Sequence, residues 1–203
     1  MTIIFRAKTN EGYIIKVLSE LLQNNVRVAC MCINESGINI RMMDSNRLVL
    51  LDIQMKYNHF NVFELSPAHQ ELNIGVNLNH LYKMLKSIKK KDQMMFSLDD
   101  SEMENLIITI FPKESKRVIS SIVRIQPVQH ISIPLPDGYK DPVNITSNDF
   151  QQTIKDISSI SDTLCIKMHK YSMCMASNAQ GIYSKQVFFG EEDDNTAQQY
   201  SDS

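Results

Sequence analysis

The chain has 203 residues, 43% hydrophobic and 22% charged, which is the balance of a globular protein and the length of one large domain or two small ones. It holds no run of 18 apolar residues that could form a transmembrane helix, and its four cysteines are too few for a disulfide framework and read as reduced, buried thiols of an intracellular protein. The formal net charge of −2 conceals a split: Glu191, Glu192, Asp193, Asp194 and Asp202 crowd the last thirteen residues and leave +3 for the rest, so residues 191–203 are expected to form an acidic, disordered tail.

Ile3–Thr9 alternates as a strand. Ile14, Val17, Leu18 and Leu21 recur at helical spacing and predict an amphipathic helix with that stripe as its apolar face. Val26 to Ile33 alternates as a strand, Asn34-Glu35-Ser36-Gly37 is a turn, and Ile38, Ile40 and Met42 continue as a second strand. Leu48–Met55 and Phe60–Leu65 read as further strands. Asn77 is placed to cap a helix from Leu78 to Lys90, with Leu78, Leu81, Leu85 and Ile88 on one face. Gln93–Leu98, Leu106–Phe111 and Val118–Ile125 are three more strands. Pro127, Pro134, Pro136 and Pro142 then break any helix or inner strand, so residues 126–142 are expected to be an extended connector.

Beyond the connector the order repeats. Val143–Thr146 is extended, Ser147 is the expected cap of a helix carrying Phe150, Ile154 and Ile157, and Leu164–Met168, Tyr171–Ala176 and Ile182–Phe189 read as strands. Ile15-Lys16-Val17-Leu18-Ser19 lies opposite Ile154-Lys155-Asp156-Ile157-Ser158, and Met43-Asp44-Ser45-Asn46 opposite Met175-Ala176-Ser177-Asn178. An internal duplication follows, with a first domain at 1–125 and a partial second domain at 143–190; a second copy as long as the first would need roughly 60 more residues.

Several chemistries find no support in this pattern. The six glycines stand too far apart for a Walker loop or a dinucleotide fingerprint, and no two histidines take the helical zinc-protease spacing. Cys30 and Cys32 share a strand face without a second ligand pair of zinc-like spacing, and read as core. Met42, Met43, Met94, Met95, Met173 and Met175 fall in strand patterns and read as core filler. The start, Met1 to Arg6, has neither the basic opening nor the apolar stretch of a signal peptide. An enzyme with a site assembled from Asp44, Asp52, Asp99 and Asp100, a metal-dependent nuclease for instance, is the rival reading.

The stretch Gly37-Ile38-Asn39-Ile40-Arg41-Met42-Met43-Asp44-Ser45-Asn46-Arg47-Leu48-Val49-Leu50 resembles the signature of the sliding clamps of the proliferating cell nuclear antigen type. Gly75-Val76-Asn77-Leu78 followed by Met84-Leu85-Lys86 is similar to the start of that family's second helix, and Ile131-Ser132-Ile133-Pro134 to its interdomain connector. The resemblance runs from about Phe5 to Phe189, with Met42 and Leu48 larger than is usual there and the family's final half-domain absent.

The resemblance implies an α+β DNA-clamp fold: duplicated strand–helix–strand units with helices on one face of curved antiparallel sheets. It also implies a subunit that encircles or binds duplex DNA and tethers DNA polymerase and other replication and repair proteins, in the nucleus or another replication compartment. No catalysis, cofactor, metal or membrane partner is implied. Lys83, Lys86 and Lys90 would share the exposed face of the second helix, with Lys89 beside them and Lys16 and Lys155 at equivalent places on the other helices, as phosphate contacts. Met43, Arg47, Leu48, Ile131, Ile133, Pro134 and Tyr139 would line a groove into which, by the resemblance, a short partner peptide inserts a glutamine and a hydrophobic–aromatic plug. Subunits would join in a ring, three by resemblance, through the edges Arg117–Ile125 and Ile182–Phe189, with Ile119, Ile122, Tyr183 and Val187 adding apolar contact. A clamp-fold monomer serving as a processivity or transcription accessory factor is the alternative.

Overall fold

The computed structural model describes residues 3–128, 133–135, 143–168, 172–179 and 181–190. The acidic tail and most of the connector lie outside the described residues. Two compact units divide the chain, Met1–Ile133 and Pro134–Ser203.

The first unit runs β1 (Ile3–Thr9), α1 (Gly12–Gln23), β2 (Val28–Asn34), β3 (Gly37–Met43), β4 (Leu50–Lys56), β5 (Val62–Leu65), β6 (Glu71–Asn77), α2 (Leu78–Leu85), β7 (Gln93–Asp99), β8 (Asn105–Phe111) and β9 (Ile119–Arg124). One antiparallel sheet has the order β5-β1-β7-β8-β9 and a second the order β4-β3-β2-β6. Period-two alternation sets the faces: in β8, Leu106, Ile108 and Ile110 turn inward while Ile107, Thr109 and Phe111 stay half-buried. Phe5, Phe96, Leu85, Ile88 and Leu98 are among the fully buried side chains of one apolar cluster. Each contributes about 1.5–3 kcal/mol by leaving water.

Several expectations change here. In α1 the buried stripe is Gly12, Ile15, Ser19 and Leu22, while Ile14, Val17 and Leu21 are 58%, 45% and 62% exposed. Two stripes of similar spacing competed, and the one containing small residues lies inward, where α1 and α2 pack together. Ser19 satisfies its hydroxyl by donating to the Ile15 carbonyl at 2.7 Å. Helix α2 ends at Leu85 rather than Lys90. Buried Asp92 explains the stop: its carboxylate accepts from the backbone N–H groups of Lys89 (2.9 Å) and Lys113 (3.1 Å), folding 86–92 into turns. Strand β6 has no counterpart among the predicted elements. The expected strand Leu48–Met55 begins only at Leu50, because residues 44–49 form a loop.

The second unit comprises α3 (Ser147–Ser158), β10 (Cys165–Met168), β11 (Ser172–Ala179) and β12 (Tyr183–Gly190), with antiparallel order β10-β11-β12. Thr146, not Ser147, caps α3: its hydroxyl accepts from Asp149 N–H at 3.2 Å and donates to the Asp149 carboxylate at 2.6 Å. The Thr146 hydroxyl thus satisfies an amide of the first turn that has no helical partner, as an N-cap side chain does. The buried face of α3 is Thr153 and Ile157, with Ile154 partly covered, and Phe150 is left 44% exposed. Cys32 and Cys174 are buried as expected, but Cys165 is exposed and Cys30 half-buried. Met43, expected in the core, is 38% exposed.

Candidate nucleic-acid interface and partner groove

Lys83 lies on the exposed side of α2, and Lys86, Lys89 and Lys90 are exposed on the turns that follow. They do not form the single helical row that periodicity suggested, because the helix stops first. Tertiary packing gathers them another way. Lys90 Nζ stands 6.0 Å and Lys16 Nζ 5.5 Å from the ring centre of Tyr13 at the start of α1. Lys16 also donates to the Ile88 carbonyl at 3.4 Å, so its ammonium is fixed beside the end of α2. Lys89 is paired with Glu114 at 3.6 Å. An open cleft of about 530 Å³ continues this basic surface, lined by Asn10, Lys91, Gln93, Phe111, Pro112 and Lys113. Lys8 Nζ sits 4.8 Å over the Phe111 ring. Tyr13, Lys8 and Lys113 were missed in the sequence, since only pairing between distant segments brings them here. In the second unit Lys155 is exposed on α3.

The expected groove residues begin at the β3–β4 loop. Asp44 organises it: Oδ1 accepts from Leu48 N–H (2.7 Å) and Val49 N–H (2.8 Å), and Oδ2 from Asn46 N–H (3.2 Å). Those amides, Val49 first, hold the Asp44 carboxyl below the usual aspartate range. Ser45 ties the loop back by donating its hydroxyl to the Asn25 carbonyl at 3.0 Å. Arg47 takes a left-handed conformation at φ 57°. The result is a fixed loop that holds Leu48 83% exposed and Val49 52% exposed beside exposed Met43.

The connector leaves β9 across the edge of β6. Gln126 N–H donates to the Gly75 carbonyl at 2.8 Å, and a Cβ at position 75 would meet Gln126 O at 2.4 Å and Val128 Cγ1 at 2.5 Å. Glycine is therefore what lets the connector lie down there. Further on, Arg41 of β3 donates from Nη1 to the Ile133 carbonyl at 3.2 Å. Ile133 is half-buried and Pro134 exposed, while Ile131 and Tyr139 lie outside the described residues.

Among the described residues, strands β9 and β12 each pair with one neighbour and stand at the ends of their sheets. On β9, Ile119 packs partly on the core and Ile122, on the opposite face, is 57% exposed. Val187 is half-buried on β12, and the Tyr183 side chain lies outside the description. Of the four aspartates in the rival reading, Asp44 is held by its loop, Asp52 by Arg41 at 2.9 Å, and Asp99 by Ser101 at 3.0 Å. Among the described residues no group of three or more His, Cys, Asp or Glu could hold a metal ion. Cys32 is pushed up to about 11 by burial and then by Glu71. Among the described residues, no helix is long and apolar enough to cross a membrane.

Comparison with known proteins gives a consistent result. The family described as proliferating cell nuclear antigen, N-terminal domain, matches residues 4–130. The proliferating cell nuclear antigen of Caenorhabditis elegans is 24% identical over 169 residues, covering 82% of this chain and 63% of that protein. The DNA polymerase sliding clamp of Thermococcus onnurineus is 29% identical over 142 residues, 70% of this chain and 54% of that one. The chain thus spans between about half and two-thirds of the length of these relatives. In three dimensions the crystal structure of the Entamoeba histolytica proliferating cellular nuclear antigen superposes with a TM-score of 0.79 at 17% identity, covering 94% of this chain and 75% of that one. The α+β clamp fold is the fold of this chain.

Proposed function

The chain belongs to the proliferating cell nuclear antigen family, and from that premise we propose that it acts as a sliding-clamp subunit. It lies on duplex DNA through the lysines around α1 and α2 and tethers DNA polymerase and other clamp-binding proteins at the β3–β4 loop and connector. Further copies join through the free edges of β9 and β12, and the protein works where DNA is replicated. The observation that carries this reading is the gathering of Lys16 and Lys90 around Tyr13 beside exposed Lys83, Lys86 and Lys89. Ammonium groups on flexible stems neutralise phosphates without reading base edges, which suits a protein that moves along DNA. Their contribution is electrostatic, so binding is steeply salt-dependent and indifferent to sequence. In this role the chain positions other proteins and carries out no bond-making step of its own.

The test is the salt dependence of binding to a duplex oligonucleotide. Replacing Lys83, Lys86 and Lys90 by Ala should lower the slope of log affinity against log salt by about 2–3, at about 0.9 per lost phosphate contact. An unchanged slope would sink the DNA reading.

A second reading, a clamp-fold factor that acts as a monomer, draws on α1. Its solvent face carries Ile14, Val17 and Leu21 instead of a row of bases. Light scattering separates the two: self-association at high protein concentration favours the ring-forming subunit, and a monomer throughout favours the accessory factor.

A further inference from the structure

Arg41 reaches two ways. On β3 it faces its register partner Asp52 of β4, with Nε donating to Oδ1 at 2.9 Å and Nη2 to Oδ2 at 3.4 Å. Its remaining arm, Nη1, donates to the main-chain carbonyl of Ile133 at 3.2 Å, ninety-two residues away in sequence. The two side chains are 32% and 23% exposed, so the contact is only partly open to competing water. We propose that Arg41 is the positioning residue of the partner groove: it clips the connector at Ile133 to the β3–β4 hairpin, and Asp52 aims it. The consequence for partners rests on the groove reading above; the clip itself does not.

The geometry leaves little else to do this work. The connector is first held where Gln126 bonds Gly75 on β6. Pro127 then has no N–H to donate, so it cannot extend that ladder. Among the described residues, the Arg41–Ile133 bond is the next hydrogen bond that ties the connector to the sheets. Bonds at both Gln126 and Ile133 fix Ile133 beside β3; with the second bond lost, Ile133 would be free to leave the sheet. Ordering that freedom on binding would weaken affinity for any partner that uses the connector as a wall.

Only arginine suits the position. The guanidinium is a rigid planar fork that can take a carboxylate on one side and a carbonyl on another. A lysine ammonium could keep the charge pair with Asp52 but could not hold both partners in one geometry. The bland alternative is a cross-strand ion pair that merely supports the hairpin, worth little when partly exposed. That alternative predicts rescue by lysine and no effect on the connector.

The experiment is amide relaxation at Ile133 in the full chain by NMR, with binding of a synthetic peptide bearing a glutamine and a hydrophobic–aromatic plug. The Ile133 order parameter is expected near 0.85 in the parent, as for rigid backbone, and below about 0.6 in Arg41→Gln and in Arg41→Lys. Asp52→Asn, which leaves the arginine in place and weakens only its anchor, should give a smaller fall and serves if the arginine variants fold poorly. Peptide affinity should drop roughly three- to tenfold in both arginine variants, the size expected for ordering a few residues. An order parameter already low in the parent, or unchanged in Arg41→Lys, overturns the clip whatever the peptide does. A fall in order parameter with no peptide binding even by the parent keeps the clip and overturns the groove.

Discussion

The segments α1–β2–β3–β4 and α3–β10–β11–β12 have the same element order, and their sheets the same strand order, β4-β3-β2 against β12-β11-β10. Their interiors differ greatly. Among the described residues, the cluster that includes the first has 24 buried apolar residues and the cluster under α3 has three, Ile157, Met173 and Met175. The reason lies in what each is joined to. Strand β6 fills the outer edge of β2, and α2 packs beside α1. Among the described residues, β10 pairs only with β11, and all four of its residues are exposed. A strand–helix–strand unit of this kind makes an interior only when a second unit covers it, since an amphipathic face buries nothing by itself.

The widest contrast should appear in unfolding. Denaturant titration followed by circular dichroism is expected to show two transitions, with the second unit melting first. Phe96→Ala should lower the later one by about 3–5 kcal/mol and Met175→Ala the earlier one by about 2 kcal/mol. A single transition coincident by every probe would mean that the two units unfold as one.

Backbone crowding gives an intermediate effect. At Gly75 an added methyl meets the connector's main chain at 2.4 Å, while at Gly181 it meets nothing within 4 Å and suffers only from φ +80°. Gly75→Ala should cost about 1–3 kcal/mol, as overpacking does, and detach Gln126. Gly181→Ala should cost about 1 kcal/mol, the strain of a left-handed residue. Equal costs would mean that the connector is not seated on β6.

The smallest effect concerns two carboxylates. Lys185, at 2.7 Å, is the main cause that holds Asp156 below the ordinary 3.8, and backbone amides do the same for Asp44. Both pKa values are depressed on folding, so each group stabilises above about pH 4 and loses that contribution as pH falls through its folded value. Molar salt should return the Asp156 midpoint toward 3.8 and leave Asp44 nearly unmoved, because an ion pair is screened and an amide hydrogen bond is not. Carbon-detected NMR titration of the side chains reads both, and equal movement would contradict the assignment of causes.

Much of this was legible in the sequence. Alternation placed β1, β7 and β8 to within a residue, the Asn34–Gly37 turn was read from its residue types, and Asn77 caps α2 by accepting from His80 N–H at 3.1 Å. The segment 37–50 carried the family. These features depend on short stretches, in which backbone preference and period-two burial agree. Tertiary structure alone decided the rest. It chose which stripe of α1 is buried, because Gly12 and Ser19 do not register as apolar but do let helices approach. It ended α2 at Leu85 through Asp92, which also bonds Lys113 N–H, and it tied the β3–β4 loop down through the Ser45 hydroxyl, which donates to the Asn25 carbonyl. It brought Lys16 to Lys90 by way of Tyr13, and Arg41 to Ile133. Periodicity reports how a segment divides its own residues between two faces; which face is covered, and by what, is fixed by partners distant in the chain.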